Sequence, residues 1–454
     1  MPGRESQSFE LPVEGDPVGR MLALHERFPE RYPVLLDSSA AGLPLGRFTL
    51  LLAAPEGRLL LDRERRLQGE GDGDRFCDRL DVWWRREQGE APPAPWPFAG
   101  GWFLFLGYEL ASEVEPSLRL PPSPLPVVAL AWRMRAVLVH DHESGRTVVL
   151  AEPAAAGLID TLRSDLRDSG RDTDPAPIGP APAVSEDDPE RYLAACRAAL
   201  AHIAAGDVYQ ANLARSWRAH IPDGTTPAGL YARLRAANPG AFSGIAQLDD
   251  VAILSSSPER LVRVRGRRID TRPIAGTRPR IAASDAASIA ALTASAKERA
   301  EHVMLIDLER NDLGRLCEPG SVLVDEFMAV ESYAHVHHIV SNVSGRLRDD
   351  VTPGAVIRAL FPGGTITGCP KVRCMQLIGD LEGCGRGAYT GAMGYLALDG
   401  SLDLNILIRT MTVQHGEVEL RAGAGIVADS DPLHELDETR AKARGVLRAL
   451  GSAG

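Results

Sequence analysis

The amino-acid sequence predicts an α+β fold built on large antiparallel sheets. Short β-rich runs bounded by Gly and Pro recur in both halves, helical patterns are scattered among them, and the regular strand–helix alternation of a parallel sheet is missing. With 454 residues, 44% hydrophobic and 24% charged, the chain suffices for one large unit or two to three domains. The formal net charge of −11 argues against nucleic acid or an anionic membrane as partner, because either demands a basic field. No run reaches the roughly 18 apolar residues of a membrane span, and MPGRESQSFELP lacks the layout of a secretory signal, so a cytoplasmic location is expected. Cys77, Cys196, Cys317, Cys369, Cys374 and Cys384 form no CxxC pair and no zinc spacing, and they read as buried thiols without chemistry.

Taken in order, residues 33–62 alternate PVLLDS, RFTLLLA and RLLLD with Gly and Pro, the pattern of antiparallel strands. Residues 92–97 read as a loop, and GGWFLFLGYEL at 100–110 as a buried strand with its partner near 127–132. Residues 135–139 and 146–152 make a hairpin around HDHESG. The stretch 169–190 is too rich in Pro, Asp and Ala to pack. It divides the chain into an N-terminal portion 1–168, a linker 169–187 and a C-terminal portion 188–454. Residues 188–205 start a helix with Leu193, Cys196 and Leu200 on one face, and GDVYQANLARSW follows as turn and strand. Short strands flank SSSPER at 255–260, and RPIAGTRPR at 272–280 reads as a Gly/Pro loop. Residues 297–316 form a long helix, apolar nearly all round at 303–306 and therefore expected to be buried, with Glu301 in line with Leu305 and Leu308. A carboxylate there needs a partner, since burying it unpaired costs roughly several kcal/mol.

FPGGTITGCPKVRCMQLIGDL at 361–381 concentrates the strongest local signals. Gly363, Gly364 and Gly368 permit close backbone approach, Pro370 suits a first helical position, and Val372, Met375 and Ile378 follow at helical spacing. Such a helix start, with Thr365 and Lys371 beside it, suits a bound anion, although a Gly-rich loop before a core helix looks the same. Residues 389–398 and 403–413 are strand-like. AGAGIVADSDP at 422–432 then reads as a Gly-rich turn into a helix capped by Asp431, with Pro432 first and Glu435 and Glu438 on neighbouring faces. Glu301, Glu435 and Glu438 thus come from two distant helices; for Glu435 alone, a solvated helix acid is the plainer account.

In this order and spacing SSSPER, RPIAGTRPR, AEHVMLIDLERNDLGR, HHIVSNVSG, FPGGTITGCPK, GAYTGAMGYL, LNILIRT and AGAGIVADSDPLHELDETRAKA resemble the chorismate-utilising enzymes. The resemblance is strong over 188–450 and weaker before. It implies two large antiparallel sheets packed together, helices outside, and an active site in a cleft made mostly by the C-terminal portion. It implies Mg²⁺ on Glu301 and Glu438, with Glu435 beside the ion through water. Arg409, Tyr389 and the backbone N–H groups of Ala424 and Gly425 would hold the enolpyruvyl carboxylate. Glu259 would be the general acid at the leaving hydroxyl, with His338, Thr365 and Thr277 around the ring. Only the motif alignment selects His338 over His335 and His337. Lys371 would neutralise charge at the site, or else merely serve the helix start. These expectations suit the substrate: two carboxylates and a leaving hydroxyl on a diene ring call for a divalent cation, fixed donors and an acid.

Relatives that add water to chorismate have a lysine base where this chain has Gln210, and a neutral amide cannot take a proton from water. Two amination branches remain, aminodeoxychorismate synthase component I and anthranilate synthase component I. DVYQANL, NPGAFSG and LSSSPER are similar to the first. The second typically has a Pro-Tyr-Met stretch, part of a tryptophan site, where Gly240, Ala241 and Phe242 stand here, while Ser38 resembles the other side of that site. Ala275 opposes the first reading, because PIKGT in that branch carries a lysine proposed to attack ring carbon C2 and this chain reads PIAGT. The matching segments outweigh that one position, so amination at C4 is the expectation and anthranilate formation the alternative. The chain has no glutaminase nucleophile motif, so a separate glutamine amidotransferase subunit is expected to supply ammonia.

Overall fold

The computed structural model describes residues 7–11, 15–39, 46–169, 182–221, 224–280, 285–332 and 336–451. Two 15-residue strands, Phe48–Asp62 and Val127–Asp141, run antiparallel and pass from one sheet into a second. A bulge between Pro55 and Arg58, with Ala54 at φ 56°, marks where the pair changes sheets. In the first sheet the pair is flanked by Val34–Asp37 and Thr147–Ala151. That sheet continues through Phe242–Leu248, Val251–Ser257, Thr410–Gln414, Glu417–Ile426 and Gln210–His220. The second sheet adds Gly101–Leu106, Ala392–Ala397, Leu402–Asn405, Arg260–Arg265, Arg268–Thr271 and Val336–Arg346.

Side-chain alternation then builds four layers. Leu50 and Leu52, with Ile253, meet Phe103, Phe105 and Met393 between the sheets. Their neighbours Leu51 and Ala53 point outward, onto Met21 and Leu24 of Pro17–Arg27, Leu230 of Pro227–Ala237 and Val446 of Pro432–Leu447. Trp102 and Leu104 point out of the second sheet, onto Phe76 and Trp83 of Phe76–Glu87, Ile357 of Pro353–Leu360 and Ile306 of Ala296–Gly314. Burial on both faces explains why LLLA and WFLFL show no polar alternation. The expected α+β sandwich with outer helices is what the chain forms. Val34–Asp37 pairs with Phe242–Leu248 and Gly101–Leu106 with Ala392–Ala397, so the N-terminal portion is woven into both sheets.

Several local readings need correction. RPIAGTRPR is no loop: Ile274–Pro279 is a strand on Val336–Arg346, with a bulge at Gly276, whose φ of +63° only glycine adopts freely. The Gly-rich 422–426 segment likewise lies in the strand Glu417–Ile426, because Leu213 and its neighbours offer a partner edge. The strand expected over 403–413 breaks between Leu402–Asn405 and Thr410–Gln414. Val303 is exposed, so the Ala296–Gly314 helix is buried on one face only. Pro370 caps the Lys371–Glu382 helix from outside its first turn. Most of the expected linker lies outside the described residues, and its end, Val184–Glu186, pairs as a strand with 217–219.

Candidate active site

Glu259 follows the strand Val251–Ser257 at a turn whose geometry is fixed by one hydroxyl. Ser257 Oγ donates to the carbonyl of Ile406 at 2.6 Å and accepts the Glu259 N–H at 3.2 Å. The Glu259 carboxylate accepts from Thr365 Oγ1 at 2.7 Å, which ties SPE to the 361–370 loop. Burial pushes this carboxyl up to about 7, while the Thr365 hydrogen bond and the charges of Lys442 and Arg409 pull it down. Glu259 therefore exchanges a proton near neutrality.

Arg409 and Lys442 also act on His338, so these four groups share one region. Arg409 sits in the break of the last strand pair at φ 51°, a strained conformation held by Ser256, whose N–H and Oγ both donate to the Arg409 carbonyl at 3.2 Å. His338 is buried, and desolvation lowers it to about 4. Its Nδ1 stands 3.0 Å from the Gly276 carbonyl, which can only accept; Nδ1 thus carries the hydrogen and Nε2 is the acceptor nitrogen. Strand alternation turns His337 to the other side, toward Ser332 Oγ at 2.8 Å and Asp285 at 3.3 Å, while His335 lies outside the described residues. Thr277 pairs in register with His338, and Ala275 with Ile339.

A second wall is the glycine stretch of Glu417–Ile426. A Cβ on Gly423 would lie 2.8 Å from the Tyr389 hydroxyl and 2.9 Å from Asn212 Oδ1; one on Gly425 would lie 2.6 Å from Gln210 Nε2. The missing side chains are what let Tyr389, Asn212 and Gln210 close on this strand. Beyond the Leu420–Met411 pair the strand keeps, among the described residues, only its Gln210–His220 neighbour, so its other edge is an open one with no paired strand. Successive N–H groups in a strand point to opposite edges, so of Ala424 and Gly425 one faces Gln210–His220 and one the open edge.

The acids assigned to Mg²⁺ are arranged less simply. Glu435 is buried beside Tyr192 and Cys196, whose hydroxyl and thiol burial pushes up first and its charge further. Glu438, one turn on, is half-exposed and held by Lys442 Nζ at 2.7 Å, which also donates to the Gly423 carbonyl at 3.0 Å. Glu301 is partly buried on Ala296–Gly314. Among the described residues no three His, Cys, Asp or Glu side chains form a metal-holding group. The donors are nonetheless hard carboxylate oxygens, the chemistry Mg²⁺ prefers, and an ammonium already occupies the cationic position on Glu438. Lys371 pairs with Asp312 and donates to the Leu360 carbonyl at 3.3 Å, so its charge is spent on the protein's own acids. Ser38 lies elsewhere, on a cavity of about 320 Å³ between the sheets that Arg47, Phe242, Arg260 and Met393 also line, and its hydroxyl faces the carbonyls of Phe48 and Ala241.

A family model for chorismate binding enzymes matches residues 32–448. The chain belongs to the chorismate binding enzymes. It is 37% identical to an aminodeoxychorismate synthase of Streptomyces griseus over 93% of its length, spanning 61% of that longer relative. To the aminodeoxychorismate synthase component 1 of Bacillus subtilis it is 40% identical, covering 78% of this chain and 77% of the relative. To the anthranilate synthase component 1 of Pseudomonas aeruginosa it is 37% identical, covering 98% and 95%. The crystal structure of anthranilate synthase component I from Streptococcus pneumoniae superposes with a TM-score of 0.79 at 31% identity, over 90% of this chain and 93% of that one. No helix among the described residues is long and apolar enough to cross a membrane.

Residue patterns did not single out several side chains packed in this region of the chorismate binding enzyme. Lys442 lies four residues after Glu438 on one helix face, a spacing that does signal an ion pair. Asn212 and Glu309 carry no such signal. Only tertiary packing brings Asn212 and Tyr389 together at Gly423 and sets Glu309 against Gly364; burial, and the charge of Asp312 three residues on along the same helix, raise the Glu309 carboxyl.

Proposed function

We propose that this chain is a chorismate-aminating component I that converts chorismate and ammonia to 4-amino-4-deoxychorismate, with the ammonia supplied by a separate glutaminase subunit. The observation that carries the reading is Glu259, buried, held by Thr365 and poised near neutrality beside two cations. Protonated Glu259 donates to the departing ring hydroxyl, which leaves as water while the ammonia nitrogen bonds to the ring carbon; the new amine then sheds a proton, which restores the acid. Arg409 forks one substrate carboxylate, and Tyr389 with the open strand edge adds single donors. Gln210 cannot serve as a base for water, whereas ammonia needs none. Glu301 and Glu438, with Glu435 alongside, would hold Mg²⁺, which would supply positive charge for the second carboxylate.

Anthranilate formation is the second reading, favoured by Ala275, which cannot form the lysine adduct expected of the first branch. The decisive experiment incubates the purified chain with chorismate, Mg²⁺ and an ammonium salt. 4-Aminobenzoate after addition of a lyase, without anthranilate fluorescence, is expected; anthranilate alone would establish the second reading.

A further inference from the structure

Among the described residues one densely bonded interior side chain belongs to none of the groups above. Arg386 is buried, and its guanidinium donates to both Glu382 oxygens at 2.6 and 3.0 Å, to the Asn212 carbonyl at 2.6 Å, to the Ile366 carbonyl at 3.3 Å and to Thr390 Oγ1 at 3.2 Å. It lies 4.9 Å from the Tyr108 ring and 5.5 Å from the Tyr389 ring. Its backbone is gripped from the N-terminal portion: Glu109 Oε1 accepts the N–H of Arg386 at 2.6 Å and of Gly387 at 3.2 Å. Glu382 in turn accepts the Ala214 N–H at 2.8 Å.

Three of these partners adjoin or are candidate site residues. Ile366 follows Thr365, which holds Glu259; Asn212 lies two residues from Gln210; and Tyr389 is contacted directly. A buried ion pair adds little net stability over apolar packing, but a planar five-donor fork fixes separate segments relative to one another as no lysine or apolar group does. We propose that Arg386, clamped by Glu109 and Glu382, is a positioning residue that sets Thr365 and Tyr389 for the reaction and makes the N-terminal portion part of the active-site scaffold. The proposal rests on the chorismate-aminating reading.

The test follows chorismate consumption with ammonium and Mg²⁺ across pH, whichever product forms. Lysine at 386 reaches one or two of these partners, so Arg386→Lys should raise KM for chorismate about tenfold and move the alkaline limb of kcat/KM upward, because a loosened Thr365 no longer lowers the Glu259 pKa. Glu109→Ala should reproduce both effects. Glu109→Gln, which keeps a carbonyl acceptor for the two N–H groups, should restore the wild-type limb. Lowered thermal midpoints with KM and limb unchanged in Arg386→Lys and Glu109→Ala would reduce the network to a structural role. If Arg386→Lys does not fold, the two Glu109 variants decide. A wild-type chain that consumes no chorismate would instead remove the functional reading, and the proposal with it.

Discussion

Glu259 carries two consequences that a single substitution separates. The unfolded chain ionises this carboxyl from its ordinary value near 4.5, the native chain only from about 7. Native stability is therefore lost as pH climbs through that window, and the deficit stays constant above it, at up to about 3 kcal/mol for a shift of this size. Glu259→Gln keeps an acceptor for Thr365 and has no charge to desolvate. We predict that it is more stable than wild type at pH 8, that the difference vanishes near pH 4.5, and that turnover is nearly lost at both; urea melts at the two pH values check this. For the wild-type enzyme kcat/KM should fall above about pH 7 as the acid ionises. An unchanged rate up to pH 9 would remove Glu259 from the role of acid.

At the scale of elements, the helices Ala296–Gly314 and Pro432–Leu447 meet the site with acids of unlike surroundings. Glu438 pairs with Lys442 and is half-exposed, so an incoming cation competes with one ammonium and little desolvation. Glu301→Gln and Glu438→Gln should each abolish turnover while leaving the thermal midpoint within a few degrees. Calorimetric titration with Mg²⁺ should show weaker binding in both, and near-normal activity in the pair would rule the assignment out. Lys442→Met should tighten Mg²⁺ binding severalfold by removing the competing charge. It also takes away a cation that lowers Glu259, so the alkaline limb should shift upward in that variant.

For the molecule as a whole, the sheets are shared between the portions 1–168 and 188–454 of the sequence. Removing residues 1–168 would strip Val34–Asp37 from Phe242–Leu248 and Gly101–Leu106 from Ala392–Ala397, exposing two unpaired strand edges and the apolar faces behind them. We predict that 188–454 expressed alone aggregates, and that the two portions produced together recover a soluble complex; a monomeric, active C-terminal portion would contradict the woven architecture. Ammonium salt alone should sustain the reaction, and glutamine should do so only after a glutaminase subunit is added. Glutamine consumption by the isolated chain would overturn the two-subunit reading.

Fold class, family and many element types were legible from local signals: the Asp431 cap on a following Pro432, the helix begun at Pro189, and the strand begun at Gly101, although that strand ends at Leu106 and Tyr108–Leu110 turn as a short 3-10 helix instead of extending it. Those signals erred on RPIAGTRPR and on the 422–426 glycines, because glycine gives the same text in a turn and in a strand that another backbone or side chain must approach closely. The folded chain was needed to show that Ser257 and Thr365 converge on Glu259 and that Lys371 is committed to Asp312. It also decided that Arg386 joins segments more than 150 positions apart, as the 174-residue span to Asn212 shows. Helix caps and strand alternation act within a few residues and leave a periodic trace. Hydrogen bonds across a sandwich depend on register between distant strands, which no local pattern encodes.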